Sequence, residues 1–330
     1  MARRRIRSYV ITSRQIYPLA VVIILSALII AGFWVIREGK RFFNSTKPGI
    51  KLAGVDMGGL LPDEVRDRVQ ELAKKVTVGA QDAFIDPRTG RVTPEVVGRV
   101  VDIDATVERV LSAGPKEAVD FVTTPVIPRI KQDFFKPHYS GKQDRRRMAL
   151  MFNVAWGQEF IPGILEVLRQ ANVRATFFFT GTWVEDFPEL TRKIAQEGQE
   201  IANHGYTHDY ANQLDRAGIE ALIMDNQKLL EKLPVSPSRL FAPPAGEFNE
   251  LVVKTAAELG FRTILWTLDT VDWQRPAPEV IIERIVPRAK NGALVLMHPT
   301  EPTLKALPEL IKRLKEKGFE LVTVSQILED

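Results

Sequence analysis

The 330-residue chain contains no cysteine and only four histidines. Without thiols it can form no disulfide and can use neither a cysteine nucleophile nor a thiolate metal ligand. Any metal must therefore be held by histidine, aspartate, glutamate or water. The remaining composition, 45% hydrophobic and 26% charged, is that of a globular protein, and the length is enough for two domains and a tail.

Long apolar runs are also scarce, and one stands out near the N-terminus. It covers the 22 uncharged residues from Gln15 to Ile36, which would span about 33 Å as a helix. Five arginines precede the run and only three basic residues follow it, so the positive-inside rule places the N-terminus in the cytoplasm. A cleaved signal peptide is the competing interpretation, but the run exceeds the usual h-region of about 7 to 15 residues and lacks a clear A-x-A site. We predict a cytoplasmic tail and transmembrane signal anchor over residues 1–45, which makes the protein single-pass in the cell membrane with its C-terminal domain outside.

An excess of positive charge is absent outside this segment. The net charge of the chain is +4, whereas residues 1–45 alone carry +7, so the remainder is near −3. The basic character thus belongs to the membrane end and gives no argument for a nucleic-acid partner.

Residues 46–130 predict a small α+β module without a titratable cluster. A helical pattern follows Pro62, with Val65, Val69 and Leu72 on one face. The pattern "GVDMGGLLPDEV...VVGRVVDIDATVERVL" resembles peptidoglycan-binding modules of membrane-anchored wall proteins; a spacer is the alternative. Residues 131–147 are polar and basic and predict a linker, in which His138 is a solvated loop residue and the three arginines at 145–147 are a solvated charge run.

From residue 148 to 330 strand-like and helical segments alternate. Strand-like runs such as "MALMFNV", "ATFFFTG" and "GALVLMH" are separated by helical runs such as "IPGILEVLRQA". This alternation predicts a parallel α/β sheet closed or nearly closed into a barrel. The chemistry of such folds lies at the carboxyl ends of the strands, and the unusual residues of this chain cluster there.

Three of the four histidines follow predicted strands. His204 and His208, in "NHGYTH", are four apart, which would place both side chains on one side of a helical turn and suits a divalent first-row metal such as zinc. His298 ends "GALVLMH", and "WTLDTVDW" supplies Asp269 and Asp272 at the preceding strand. A carboxylate bonded to His298 would prepare it to act as a general acid; we assign this partner to Asp272 and a capping role to Asp269.

The order of these motifs resembles the polysaccharide deacetylase family, carbohydrate esterases with a NodB-homology domain, across residues 148–330. "NHGYTH" matches the metal-binding motif of the family, "DTVDW" its fourth motif and "LMH" its last. The resemblance implies a distorted (β/α) barrel that removes N-acetyl groups from wall glycan (peptidoglycan or a chitin-like polymer) with the help of zinc, cobalt or nickel. It implies that the metal ligands are His204 and His208, that the acid is His298 tuned by Asp272, and that the acetyl-methyl pocket is formed by Trp273 and Leu296.

Two motifs depart from the family pattern. Asn153 and Val154 stand where the family has the base aspartate and the third ligand, and neither can serve, since an amide is no base and valine has no donor atom. Ala242 replaces an arginine that holds the base, and Ala245 replaces a tyrosine whose backbone N–H lines the oxyanion hole, a role that Ala245 could retain. A similar altered first motif marks sporulation-associated members of the family.

These departures leave three interpretations open. The first is a working or weakly working deacetylase, whose metal and base chemistry is completed by a carboxylate such as Glu159, Asp209 or Glu247 or by metal-bound hydroxide alone. The second is an inactive wall-glycan-binding protein that retains the barrel, and the third is an assembly factor at the membrane. Trp156, which follows the altered motif, either stacks on a sugar face or packs beneath a loop.

Overall fold

The structure is a computed structural model that describes residues 13–329. It divides into two compact units. The first contains the chain up to Gln81 together with residues 97–127, and the second contains residues 82–96 and the chain from Pro128 onward. The predicted division at residue 130 therefore differs from the structure in one segment: residues 82–96, predicted as part of the small module, belong to the second unit.

In chain order the helices are α1 (Ser13–Asn44), α2 (Pro62–Val76), α3 (Ile103–Ser112), α4 (Ile161–Gln170), α5 (Gly181–Asp186), α6 (Pro188–Gln196), α7 (Arg216–Glu231), α8 (Glu250–Glu258), α9 (Pro278–Ile285), α10 (Glu301–Glu316) and α11 (Val324–Glu329). The strands are β1 (Lys51–Leu52), β2 (Val55–Asp56), β3 (Phe84–Ile85), β4 (Val92–Thr93), β5 (Gly98–Val101), β6 (Ala118–Val119), β7 (Thr123–Val126), β8 (Arg147–Val154), β9 (Thr176–Phe179), β10 (Glu200–Asn203), β11 (Leu240–Phe241), β12 (Arg262–Thr263), β13 (Leu268–Asp269), β14 (Ala293–Met297) and β15 (Glu320–Val322).

Helix α1 covers the segment predicted as a membrane anchor. The first twelve residues of the predicted cytoplasmic tail lie outside the described residues. Within residues 13–329, no helix combines the length and the hydropathy of a membrane-spanning segment. The anchor therefore stays a prediction.

The small unit has the predicted α+β character. Helix α2 begins at Pro62 and buries Val65, Val69 and Leu72, as its apolar spacing indicates. These side chains form one core with residues of α3, whose N-terminus is capped by Asp102 through a 2.9 Å bond from the backbone N–H of Ala105. Short strands complete the unit in the order β2-β1-β6, with β5 and β7 as a separate antiparallel pair.

The second unit is built on a parallel sheet of eight strands. Its order is β12-β11-β10-β9-β8-β14-β13, and β15 pairs with the first residues of β8. Each of these strands pairs in parallel with its neighbours, with helices as crossovers. In the residues that the structure describes, β12 and β13 do not pair, so the barrel is open on one side; this is a distorted (β/α) barrel of the predicted class.

Strand β8 shows how the two faces of this sheet are used. Alternate residues point to opposite faces of a strand. Met148, Leu150, Phe152 and Val154 therefore join the large core between sheet and helices, whereas Ala149 and Met151 join the smaller core inside the barrel. The same alternation places Asn153 inside the barrel, at the carboxyl end of the strand.

The segment predicted as a linker, residues 131–147, is instead packed into the second unit. Phe134 is buried, and the backbone N–H of His138 donates to the carbonyl oxygen of Thr263 at 2.9 Å. His138 is only 9% exposed, so the prediction of a solvated histidine is wrong. The arginine run is partly packed as well, because Arg147 is the first residue of β8 and the guanidinium of Arg146 lies over the ring of Phe319. The linker prediction failed because it used only the polar composition of the segment, which does not reveal its buried aromatic residue and its backbone hydrogen bond to another strand.

Candidate functional site

Eight of the nine expected site residues line one cavity at the carboxyl ends of the barrel strands, and the ninth, Asp272, is hydrogen-bonded to one of them, His298. The volume of the cavity is about 480 Å³, within the range of small-molecule sites. It is lined by the predicted residues Asn153, Trp156, His204, His208, Ala245, Trp273, Leu296 and His298, and also by Ala155, Tyr210, Trp266 and Asp269. Sequence reasoning named neither Tyr210 nor Trp266, although both are aromatic residues near strand ends. We call this space the site cavity.

His204 and His208 are brought together by a loop and not by the helical turn that their spacing predicts. The chain leaves β10 at Asn203 and turns at Gly205, whose φ of +82° interrupts any helical path. The two imidazole rings nevertheless lie edge to face, with centroids 5.3 Å apart. The pairing that the sequence predicts is therefore present, but its backbone geometry is different.

The buried His204 is oriented by the backbone. Its Nδ1 lies 2.7 Å from the carbonyl oxygen of Ala242; since a carbonyl can only accept, Nδ1 carries the proton and Nε2 keeps its lone pair. Burial, reinforced by the neighbouring His208, lowers the pKa of His204 to about 3. Burial is also the first cause that lowers the pKa of His208. Both side chains are thus neutral near pH 7, as an imidazole must be to ligate a metal.

A buried amide pair supports this loop. The side-chain oxygen of Asn203 accepts from the backbone N–H of Gly205 at 2.8 Å and from Nδ2 of Asn226 at 3.0 Å. Asn226, on α7, also donates to the carbonyl oxygen of Phe179. Sequence reasoning missed Asn226, because an asparagine on one helix gives no signal that it reaches a loop 23 residues away.

The residues present do not fit the three-ligand metal site that the family resemblance implies. Among the described residues, no group of three or more histidines, aspartates or glutamates is close enough to hold one ion. Asp209 accepts from the hydroxyl of Thr207 at 2.6 Å, and Glu247 accepts from Nδ2 of Asn212 at 2.7 Å. Neither these carboxylates nor Glu159 lines the site cavity, so the prediction that one of them completes the site is wrong.

Asn153 and Val154 face opposite sides of the sheet. Val154 is fully buried in the core between sheet and helices, so its side chain points away from the cavity. Asn153 lines the cavity, is 4% exposed, and its side-chain oxygen has no hydrogen-bond partner. A buried carbonyl without a partner costs about 1–3 kcal/mol, so this oxygen lowers the stability of the fold unless a donor reaches it.

His298 and Asp272, which we call the acid half of the site, are hydrogen-bonded to each other. Nδ1 of His298 lies 2.8 Å from Oδ1 of Asp272, and the backbone N–H of His298 donates to Oδ2 of the same carboxylate at 2.7 Å. Thr303 on α10 adds a third donor, its hydroxyl, at 2.5 Å from Oδ2. Asp272 is fully buried and its charge is met by these donors. Asp269 instead accepts from the backbone N–H of Val271 at 2.7 Å and so holds the loop.

Trp156 forms one wall of the cavity and lies over His298. The two rings are nearly parallel, at 6°, with centroids 5.8 Å apart. Trp156 is 40% exposed, and Trp273 and Tyr210 add further exposed aromatic surface to the cavity. Packing beneath a loop, the alternative for Trp156, does not describe this position, because one side of the indole contacts the imidazole and much of its surface stays open to solvent.

The chain is similar to known proteins of one family. Residues 140–264 match the polysaccharide deacetylase family model. The chain is 36% identical over 271 residues to the uncharacterized protein YlxY of Bacillus subtilis, covering 81% of this chain and 84% of that protein. It is 37% identical over 187 residues to a peptidoglycan-N-acetylglucosamine deacetylase of Bacillus cereus, covering 55% of this chain and 87% of that protein.

Among solved structures, a wild-type CE4-family pseudoenzyme from Bacillus anthracis matches with a TM-score of 0.59 and 34% identity, covering 80% of this chain and 94% of that one. A mutant of this pseudoenzyme is described as having restored enzymatic activity. The extent of these matches shows that the chain belongs to the polysaccharide deacetylase family, CE4, whose relatives include peptidoglycan N-acetylglucosamine deacetylases.

Proposed function

We propose that this protein binds acetylated cell-wall glycan at the surface of the membrane without hydrolysing it. The observation that carries the proposal is the composition of the site cavity: the glycan-binding walls and the acid half are intact, whereas the base position is the neutral Asn153 and the third-ligand position, Val154, lies in the apolar core. Hydrolysis of an amide needs an activated water, and the cavity offers no cavity-facing carboxylate at either of these positions to activate one.

The walls support sugar binding. Aromatic faces stack on the apolar faces of pyranose rings and supply large contact area, and the cavity carries Trp156, Trp273 and Tyr210 with exposed rings. A second cavity of about 550 Å³ shares His208 and Tyr210 with the first. Because the two cavities share these residues, we propose that a further sugar of the polymer lies in the second cavity.

The setting that we propose follows from the N-terminal segment. The apolar sequence from Gln15 to Ile36, preceded by five arginines, has the pattern of a signal anchor, which would place the following units outside the cell membrane. An exported protein without cysteine needs no oxidising folding machinery. The small unit, if it also binds wall polymer, would hold the barrel near its ligand.

A co-sedimentation assay tests binding. The full chain in detergent should be retained on insoluble peptidoglycan, and Trp273→Ala should reduce retention roughly tenfold, since loss of one stacked aromatic costs about 0.5–1.5 kcal/mol beyond its buried area. Tyr139→Ala is the matched control, because Tyr139 is similarly exposed (50% against 53%) and does not line the cavity. Equal retention of both variants, or none of the wild type, would refute the proposal.

A slow deacetylase is the second candidate, and the intact contact between His298 and Asp272 favours it. A protonated His298 could still protonate a leaving amine. This candidate requires acetate release by the wild type that is abolished in His298→Ala, whereas the binding proposal requires none.

A further inference from the structure

We propose that Asn153 makes the site cavity selective for a sugar with an intact N-acetyl group over the same sugar with a free amine. The inference rests on the proposed glycan binding and names the part of the ligand that is read. It assigns a ligand-binding role to Asn153, which stands where the family has the base aspartate.

The first argument is the partnerless oxygen of Asn153. This atom is buried, belongs to a side chain that is 4% exposed, and has no donor within hydrogen-bond distance, although the side chain lines the cavity. A hydrogen-bond donor for this oxygen can come only from the cavity side, since the opposite face of the strand packs in the apolar core. An amide N–H of a ligand is a neutral donor that would satisfy the oxygen without bringing charge into the site.

The second argument is the nature of the surrounding walls. Ala155, Leu296 and the indoles of Trp266 and Trp273 give apolar surface against which a methyl group can pack. The gain is about 25 cal/mol for each Å² of apolar surface removed from water. An acetamido group offers both the methyl and the N–H; an ammonium offers no methyl.

The third argument is charge. Near neutral pH the amine of a de-N-acetylated sugar is largely protonated, and burying an ammonium is costly unless a carboxylate receives it. Of the carboxylates in or next to the site cavity, Asp272 is fully buried and has three donors, and Asp269 uses Oδ1 to accept from the backbone N–H of Val271. An aspartate at position 153 would receive the ammonium directly, whereas Asn153 gives only a dipole.

Calorimetric titration of the full chain in detergent, with a chelator present and at about pH 6 so that the amine is charged, tests the inference. The probes are an N-acetylglucosamine tetramer and the corresponding glucosamine tetramer. The wild type should prefer the acetylated tetramer by at least about tenfold. Asn153→Asp should reduce this ratio by about tenfold or more, because a charge-assisted hydrogen bond to the ammonium replaces a neutral one.

Asn249→Asp is the matched control. It adds the same charge outside the residues that line the cavity, and an aspartate can keep the cap bond from the backbone N–H of Val252. Its ratio should equal that of the wild type. Asn153→Leu should weaken the acetylated tetramer about tenfold by leaving the ligand N–H without an acceptor.

The outcomes separate this inference from the proposed function. If neither tetramer binds, the proposed glycan binding fails. If both bind with equal affinity and Asn153→Asp leaves the ratio unchanged, glycan binding stands and selectivity through Asn153 is refuted. Selectivity that appears only when zinc replaces the chelator would also refute it, since the oxygen would then serve a metal.

Discussion

The indole of Trp156 lies parallel to the imidazole of His298, with ring centroids 5.8 Å apart. The contact depends on Gly157, which has a φ of +83° and whose Cα faces Pro299 so closely that an added Cβ would collide with the carbonyl oxygen of that residue. One glycine thus lets the loop after β8 reach His298, the residue that follows β14. Trp156, which lines the cavity, is thereby held in contact with His298.

We expect Gly157→Ala to separate this ring pair. The strained φ costs about 1–2 kcal/mol and the collision adds to it, so the loop must move and affinity for the acetylated tetramer should fall about tenfold or more. Gly260→Ala is the control, because Gly260 has the same φ of +83° with no comparably close neighbour. It should lower the free energy of unfolding but leave affinity unchanged. Equal affinity losses in the two variants would show that the ring contact does not matter.

The opposite directions of Asn153 and Val154 give a prediction on stability. Val154→Asp places a carboxylate in the core beside Phe152 and Met297, and should lower the free energy of unfolding by about 3 kcal/mol or more. Asn153→Asp, one residue earlier but facing the cavity, should cost clearly less, because water in the cavity can reach its carboxylate. Urea titrations followed by tryptophan fluorescence measure both; similar values for the two variants would contradict the assigned directions.

Thr303 supports the charge of Asp272. Thr303→Val removes one of three donors from a fully buried carboxylate, and we expect it to lower the free energy of unfolding by about 1–3 kcal/mol. Thr303→Ser keeps the hydroxyl and should cost clearly less. Thermal unfolding distinguishes them, and a serine variant as unstable as the valine variant would assign the loss to packing.

The buried His138 predicts a stability that depends on pH. Burial, partly opposed by Asp133, lowers the pKa of His138 in the folded state below the 6.5 of an unfolded chain. Below about pH 6.5 the unfolded state therefore binds more protons, and stability falls as pH decreases towards the lowered pKa, by up to about 1.4 kcal/mol per pH unit. The loss stops below the folded pKa.

His138→Gln is the test of this effect. Glutamine does not titrate and can still donate to the carbonyl oxygen of Asp133, which lies 3.0 Å from Nε2. The unfolding free energy of this variant should fall less steeply between about pH 6.5 and 5 than that of the wild type. Parallel curves would show that His138 does not contribute.

Much of the barrel could be predicted from sequence because its strands are short apolar runs bounded by helices. The run that became β8 was placed correctly, and so was the buried face of α2. The linker prediction failed because the burial of His138 depends on a contact with Thr263, more than a hundred residues away. Local composition carries no information on such contacts.

Most of the residues that line the candidate site were predictable, but Tyr210 and Trp266 were not, and neither were the directions in which the side chains point. Motif order brought His204, His208 and His298 to one place, and the structure puts all three in the site cavity. Motif order could not show that Val154 faces the core, since this depends on the register of β8. Nor could it show that Trp156 covers His298, since this depends on the loop conformation at Gly157.

The most direct test of the central claim is a measurement of acetate released from an N-acetylglucosamine tetramer by the full chain, with zinc or cobalt added, in the same sample whose binding is confirmed by titration. We predict saturable binding and no acetate above that of the His298→Ala variant. Acetate release by the wild type that exceeds this background and disappears in His298→Ala would contradict the account and establish the protein as a deacetylase.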